Sequence, residues 1–332
     1  MSNAGYVLRR SLQALIVIAI VYTFTFFILF VLPGDPLENK ITNPVNPLPS
    51  STADALRAYY GFDQGPVAQF FAHLGRLFTG DLGFSLVNGR AVSDLIGQAL
   101  GETIVLAGLA LLFTAALSSA VALTAVFAPW RWVREAARGL PVLSISAPSF
   151  LVGYLLLAMF SFQFGWVSSI RDQGLASFVL PALTLAFASS GTLSQVLIQG
   201  LTGASRQPFV AVLEAKGVSG IGIVLRHILK NGAIPSLTLL ALVVGDLLAG
   251  AVVVETIFNR HGLGYFTYTS VRDQDTPVIV AIVLLVSVVY IAINLATDLL
   301  YVRLDPRIGQ SLIRAGTRRR APRLQQPEAV PA

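Results

Sequence analysis

Six long runs of apolar residues constrain this chain more than any other feature of its sequence. The first, Ser11 to Leu32, holds 22 residues without a charge, and about 20 are enough for a helix to cross the hydrocarbon core of a bilayer. The other runs, each long enough for one span, are 103–128, 139–162, 176–200, 233–255 and 276–297. Only 12% of all residues are charged, against about 25% in soluble proteins. We therefore predict an all-α membrane protein with six transmembrane helices in one domain.

The basic residues indicate which loops face the cytoplasm. Placing Arg9 and Arg10 inside puts 16 of the 23 lysines and arginines on that side, as the positive-inside rule favours. Both termini are then predicted to be cytoplasmic. The predicted organisation is a cytoplasmic N-terminus (1–10), a membrane domain (11–308) with an extracytoplasmic insertion (33–98) and a cytoplasmic loop (201–232), and a disordered, basic cytoplasmic tail (309–332).

The insertion contains one strongly amphipathic segment. Apolar residues recur there with helical spacing, at Val67, Phe70, Phe71, Leu74, Leu77 and Phe78. The stretch 80–83 then ends the predicted helix, since glycine flanks an aspartate there. Two interpretations stay open: a helix that lies on the membrane or packs on the bundle, or a docking platform for an external partner.

The cytoplasmic loop carries the most regular polar stretch of the chain, at 207–235. Pro208 suits the first turn of a helix, and Gly217 suits its end because glycine adopts the left-handed cap conformation without a steric cost. A second short helix is predicted by one apolar face, formed by Ile221, Val224, Leu225 and Ile228. A loop that only connected two spans would not need this pattern.

The sequence disfavours catalysis and ATP binding by this chain. A Walker-type lysine follows glycine and precedes serine or threonine, whereas the lysines here follow Asn39, Ala215 and Leu229. The absence of cysteine and the wide separation of the three histidines disfavour a metal centre. The basic tail follows a membrane span without an aromatic stacking platform, which disfavours nucleic-acid binding and favours contact with anionic lipid.

A few polar residues fall inside the predicted spans. Asp246 lies in the middle of the fifth span, where a charge costs roughly 2.5 to 3.5 kcal/mol, so it is predicted to face the bundle interior or a wet cavity and is a candidate pathway residue. A protonated or hydrogen-bonded structural acid is the alternative. Asn294 and Asp298 share one face of the last span and are predicted to form hydrogen bonds between helices. Glu255, near the outer end of the fifth span, is expected to reach the interface.

The order of several short motifs resembles one family. The loop segment Glu214-Ala215-Lys216-Gly217, followed by Leu225-Arg226-His227, is similar to the cytoplasmic signature of permease subunits in binding-protein-dependent ABC importers of the dipeptide, oligopeptide and nickel branch. Matching stretches occur in the same order along residues 6 to about 308; among them are Leu32-Pro33-Gly34-Asp35-Pro36, Gly80-Asp81-Leu82-Gly83, Ala147-Pro148-Ser149-Phe150, Glu255-Thr256-Ile257-Phe258 and Asp305-Pro306-Arg307.

This resemblance implies a fold, a location and a set of partners. The fold would be that of type I ABC importer permeases, with six transmembrane helices, in a bacterial cytoplasmic membrane. The chain would form half of the translocation pathway for di- and oligopeptides. Its partners would be a second homologous permease, two cytoplasmic ATPase subunits that bind ATP and magnesium, and an extracytoplasmic solute-binding protein; this subunit would hold no cofactor and would not be an enzyme.

By the same resemblance, the 207–235 loop would couple the permease to an ATPase subunit. The implied coupling residues are Val210, Leu213, Glu214, Ala215, Lys216, Gly217, Leu225, Arg226 and His227. Import of nickel chelates or another small solute by the same fold is an alternative function. An ion-coupled secondary transporter is an alternative of another class, disfavoured because a relay needs several intramembrane ionisable residues and Asp246 is a single mid-span acid without a partner.

Overall fold

The computed structural model describes residues 3–31, 41, 49–62, 64–167 and 173–304. These residues form helices and connecting turns, with one isolated β-bridge between Phe84 and Ala91. The helices are α1 (Asn3–Phe26), α2 (Ser50–Tyr60), α3 (Pro66–Phe78), α4 (Val92–Phe127), α5 (Arg131–Ser146), α6 (Ser149–Leu156), α7 (Val179–Ser205), α8 (Pro208–Ala215), α9 (Gly220–Ile223), α10 (Leu229–Gly232), α11 (Ile234–Ile257), α12 (Leu263–Arg272) and α13 (Thr276–Leu304). The all-helical class predicted from the sequence is confirmed for the described residues.

Four helical segments are long and apolar enough to cross a membrane. They are Arg10–Leu29, Val92–Phe127, Gly174–Ser205 and Thr276–Ala296, and they coincide with four of the predicted spans. The predicted fifth span corresponds to α11, a helix of 24 residues. The chain is therefore a multi-pass membrane protein, while the count of six spans stays a prediction.

The predicted span 139–162 is not one straight helix. Helix α5 and the segment Ser149–Gln163, which begins as α6 and continues as a π-helical turn, meet at an angle of 106°. The break falls at Ala147 and Pro148. Proline has no amide hydrogen to donate and disfavours the helical conformation in the residue before it, so the helix ends there. The pair counts as a span only if both halves together cross the membrane.

Helix α4 starts earlier than the apolar run that predicted it. The run begins at residue 103, whereas the helix begins at Val92. Its first turns bury Val92, Leu95, Ile96 and Ala99 against apolar residues of α12 and α13; these include Leu263, Val278, Ala281 and Ile282. Tertiary packing thus extends the helix into what the sequence assigned to the insertion.

The amphipathic helix of the insertion is confirmed as α3, and it packs on α1. The Phe70 ring lies 5.1 Å from the ring of Tyr22 and 5.3 Å from that of Phe26. Between them His73 is buried, with Nδ1 3.2 Å from the Tyr22 hydroxyl. Burial, together with the nearby Arg76 guanidinium, lowers the pKa of His73 to about 4. One edge of the predicted face therefore packs on the bundle, while Val67, Phe71 and Phe78 on the other edge stay exposed.

The segment after α3 is attached to the start of α13 by a buried carboxylate. Asp275 accepts a hydrogen bond from the Ser85 hydroxyl and another from the amide of Leu86, at 2.9 Å. Nearby, the Tyr59 hydroxyl donates to Asp81, and desolvation together with this carboxylate raises the pKa of Tyr59 to about 12. The bonds to Asp275 hold the insertion against the start of the last helix, and the Tyr59–Asp81 bond joins two parts of the insertion.

The sequence predicted that Glu255 reaches the interface, and this prediction was wrong, because the Glu255 side chain is fully buried. Its Oε1 accepts from the Thr103 hydroxyl at 2.7 Å, and its Oε2 accepts from the amide of Tyr265 at 2.9 Å. The amide of Gly264 is a further donor. The carboxylate thus satisfies free amides in the first turn of α12 and joins α4, α11 and α12.

Candidate functional site

The loop between α7 and α11 begins with a short, well-terminated helix. Pro208 occupies its first turn, and Gly217 adopts a φ of 74° after its last turn. The amide of Val218 donates to the carbonyl oxygen of Leu213 at 3.1 Å, and that of Gly217 donates to Glu214 at 2.9 Å. These two bonds form a Schellman motif. The start and the end predicted for this helix are confirmed.

The second half of the loop is helical, but the apolar residues predicted to share one face are divided between buried and exposed positions. Ser219 caps α9 by accepting a hydrogen bond from the amide of Gly222 at 3.3 Å. A π-helical turn, Val224–Ile228, then leads into α10. The wider turn brings residues five apart onto one side, so Ile223 and Ile228 are both buried.

The residues predicted to share one apolar face are therefore not all on one side. Ile221 is 76% exposed and Leu225 is 54% exposed, so the expectation of a single face with Val224 and Ile228 was wrong. The physical reason is that the prediction assumed 3.6 residues per turn throughout, whereas the π turn inserts one residue into the period.

The base of the loop is clamped to α7 by a contact between two backbones. A Cβ atom on Gly200 would overlap the carbonyl oxygen of Gly232, and a Cβ on Gly232 would lie 2.8 Å from the carbonyl oxygen of Gly200. Around this crossing the buried residues of one cluster are Ala122, Leu193, Leu197, Leu201, Ala204, Ile223 and Ile228. Helices α9 and α10 thus form a rigid support on the end of α7.

Four large apolar side chains of α8, α9 and the turns beside them are exposed, and together they are called the apolar patch. The patch consists of Val212, Val218, Ile221 and Leu225. Val212 is exposed, whereas Val210 and Leu213 of the same helix pack against the buried cluster. A surface helix that is apolar on both sides is unusual unless another protein or the membrane covers one of them. The apolar character of the loop was the available sequence signal for Val212 and Val218, which the predicted coupling residues did not include; Ile221 was predicted only as part of the apolar face.

The remaining predicted loop residues surround the patch. Glu214, Ala215, Lys216 and Gly217 are exposed at the turn between the helices, and Arg226 is exposed next to Leu225. His227 is half-buried, and its backbone carbonyl oxygen accepts a hydrogen bond from the side-chain amide of Asn231 at 2.9 Å. The structure therefore brings the predicted residues into one loop, with Val210 and Leu213 facing inward and the others outward.

The polar residues predicted inside the spans lie elsewhere in the molecule. Asp246 is exposed and lines a cavity between α11 and α13. The amide of Asn294 donates to the carbonyl oxygen of Tyr290 in its own helix, at 2.8 Å. The side chain of Asp298 lies outside the described part of the chain. Hydrogen bonding between helices by Asn294 and Asp298 stays a prediction, and the predicted tail, 309–332, also lies outside the described residues.

Comparisons with known proteins cover nearly the whole chain. Residues 119–310 match the family described as "Binding-protein-dependent transport system inner membrane component", and residues 4–107 match its N-terminal companion, "Binding-prot-dependent transport system membrane comp, N-term". The chain is 33% identical over 304 residues to the glutathione transport system permease protein GsiC of Escherichia coli O6:H1, covering 92% of this chain and 98% of that protein. It is 34% identical over 309 residues to GsiC of Salmonella choleraesuis, with the same coverage.

One solved structure is similar at a lower level. It is described as the crystal structure of an amino acid ABC transporter with histidines. The alignment has 16% sequence identity and a TM-score of 0.45, and it covers 65% of this chain and 94% of that chain.

Proposed function

Because the chain belongs to the family of binding-protein-dependent transport system inner membrane components, we propose that it forms half of the translocation pathway for di- and oligopeptides. The family predicted from the sequence is confirmed, and the chain is a permease subunit of an ABC importer. Two relatives are named for the transport of glutathione, which is a tripeptide. Their names support a peptide-like cargo for this chain.

The proposed assembly has four further components. A second homologous permease completes the pathway, two cytoplasmic ATPase subunits bind ATP and magnesium, and an extracytoplasmic binding protein delivers the substrate. This subunit supplies no cofactor and no catalytic residue. Both of its termini would face the cytoplasm, together with the loop between α7 and α11.

The orientation can be measured with introduced cysteines, because the chain has none of its own. Ser219 lies in the loop after α7, and Asn88 lies in the insertion; both are exposed. In spheroplasts, a membrane-impermeant maleimide should label Asn88→Cys at once and Ser219→Cys only after lysis. The reverse pattern would contradict the proposed orientation.

One observation carries the proposed coupling role: the apolar patch of Val212, Val218, Ile221 and Leu225 on a rigid support. A partner that covers the patch gains roughly 25 cal/mol for each Å² of apolar surface removed from water. A partner that moves would pass its displacement to α7, since the Gly200–Gly232 crossing leaves no room for the loop to slide inward. This arrangement suits a two-state, rigid-body switch driven by an ATPase subunit.

The test is a charge placed in the patch. Leu225→Asp should lower substrate-stimulated ATP hydrolysis and peptide uptake by the reconstituted importer at least tenfold, because a buried unpaired carboxylate opposes docking. Leu175→Asp is the matched control: Leu175 is exposed and precedes α7, at the end opposite to the loop. It should leave both activities within about twofold of wild type.

Two results would contradict the coupling role. One is full uptake by Leu225→Asp, and the other is an equal loss in Leu175→Asp. Uptake that continues in vesicles without the ATPase subunits would instead favour an ion-coupled carrier. ATP-dependent uptake of nickel chelates without uptake of peptides would keep the fold and change the cargo.

A further inference from the structure

A cavity of about 470 Å³ lies between α11 and α13, with the first turns of α12 completing its wall. Most of its lining is aliphatic. The carboxylate of Asp246 is exposed in it and makes no hydrogen bond or ion pair with the residues that the structure describes. A carboxylate within a membrane span is costly against lipid, so this face meets water or another polar group. The volume lies in the range of about 300 to 1,000 Å³ that is usual for small-molecule sites.

The other polar groups of the cavity offer acceptors. The hydroxyls of Thr267 and Ser287 each donate to the carbonyl four residues earlier in their own helix, at 2.6 and 2.7 Å. The Thr103 hydroxyl donates to buried Glu255 at 2.7 Å. Each of these three protons is already used, so the hydroxyl oxygens of Thr267 and Ser287 are left as acceptors, while that of Thr103 already accepts from the amide of Leu263 at 2.7 Å. No lysine, arginine or histidine is among the described residues that line the cavity.

An aromatic ring, that of Tyr290, lines the same cavity and packs against the residue before Asp246. A Cβ atom on Gly245 would lie 2.8 Å from Cε2 of Tyr290, so the ring covers the turn that carries Asp246. Only glycine permits this approach, because any side chain would displace the ring. A π face next to a carboxylate attracts an organic cation both by charge and by the ring quadrupole.

We propose that this cavity binds a primary ammonium or guanidinium group of the transported substrate, with Asp246 as the counter-ion and Tyr290 as the π face. The inference rests on the proposed function, because it names the chemical class that the pathway selects. The aliphatic lining would hold the carbon chain that bears the cation. Two sources share this chemistry: the N-terminal ammonium of a peptide and a basic side chain.

The first experiment measures binding without transport. The assembled importer, in nanodiscs without nucleotide, is titrated with n-butylammonium and followed by saturation-transfer NMR, with 1-pentanol as the uncharged probe. Asp246→Asn should weaken butylammonium binding about tenfold and leave 1-pentanol unchanged, since tenfold corresponds to about 1.4 kcal/mol. Tyr290→Leu should weaken it several-fold, whereas Tyr290→Phe should keep it. Asp54→Asn, on exposed Asp54 of α2, should have no effect.

The second experiment separates the two sources of the cation. Uptake of Ala-Lys, Ala-Gln and N-acetyl-Ala-Gln is compared in wild type and Asp246→Asn. A tenfold loss for Ala-Lys alone assigns the site to the side chain, and an equal loss for both free peptides with N-acetyl-Ala-Gln unchanged assigns it to the N-terminus. Equal losses for all three peptides, or unchanged butylammonium binding, would overturn the inference. Wild-type vesicles that take up no peptide would refute the proposed cargo, while the binding titration would still decide the cation site.

Discussion

Replacing Glu255 with leucine removes a carboxylate that joins three helices. Three buried donors lose their acceptor: the hydroxyl of Thr103 and the amides of Gly264 and Tyr265. A buried donor without a partner costs about 1 to 3 kcal/mol. Three unpaired donors at the low end of this range lower the free energy of unfolding by about 3 kcal/mol. The low end applies because replacing the carboxylate also removes the cost of burying a charge.

Glutamine at the same position should cost less. Its oxygen can still accept from both amides, and its amide can donate to the Thr103 oxygen. The Thr103 proton then loses its acceptor, so Glu255→Gln should cost about 1 to 2 kcal/mol. The expected order of stability is therefore wild type, then Glu255→Gln, then Glu255→Leu.

The measurement is a denaturant titration of the purified protein in detergent, followed by tryptophan fluorescence. Glu135→Leu is the matched control, since Glu135 is 57% exposed and pairs only with exposed Arg138 in the next turn; it should change stability by less than about 1 kcal/mol. Combining Glu255→Leu with Thr103→Val completes a double-mutant cycle. A coupling energy of at least about 1 kcal/mol is expected for a direct contact.

Two results would contradict this role of Glu255: a Glu255→Leu variant as stable as Glu135→Leu, or additive effects of the two changes in the cycle. Additivity would mean that Thr103 and Glu255 do not share the hydrogen bond that the structure shows.

Three further predictions start with packing at the loop: Gly200→Ala should destabilise the protein by about 1 to 3 kcal/mol in thermal unfolding, because the methyl group overlaps the carbonyl oxygen of Gly232. Gly203→Ala is the control and should be neutral or stabilising in the same assay, because no atom lies within 4 Å of the added carbon. The pKa of His73 in the folded protein lies near 4, below its ordinary 6.5. The neutral ring therefore contributes fully to stability above pH 6.5, and this contribution, up to roughly 3 kcal/mol, is lost as the pH falls towards 4. His73→Phe should remove that part of the pH dependence, as measured by denaturant titrations at pH 7.5 and 4.5. Asp275→Ala should speed tryptic cleavage in the segment attached to α13 about tenfold, since about 1.4 kcal/mol of local stability is lost, and unchanged cleavage would contradict the attachment.

The predicted spans show which helices can be located from runs of apolar residues alone. Four of them coincide with helices long enough to cross a membrane, because a run of some 20 apolar residues has few alternatives to a helix in lipid. The sequence also located both ends of α8, since proline at the start and glycine in the left-handed conformation at the end act through local backbone geometry. The ordered motifs identified the family for the same reason: they are local.

What the sequence could not supply depends on neighbours. The α4 helix begins at Val92 because its first turns find apolar partners on α12 and α13, and the length of an apolar run does not record such partners. Glu255 looked like an interfacial acid, but its acceptor role appears only when Thr103 and the first turn of α12 are brought beside it. Thr103 is 152 residues from Glu255 in sequence, and a hydrogen bond over that separation leaves no local pattern.

The sequence by itself therefore determined that the chain is a helical membrane protein, where most of its helices lie, and that the loop after α7 is a short structured element. Only the tertiary structure decided which side of that loop faces outward. Helical periodicity placed Leu225 on one face with Ile228, whereas the π turn leaves Ile228 buried and Leu225 exposed with Ile221. Sequence periodicity assumes a fixed number of residues per turn, whereas the number in a given turn depends on what the helix packs against.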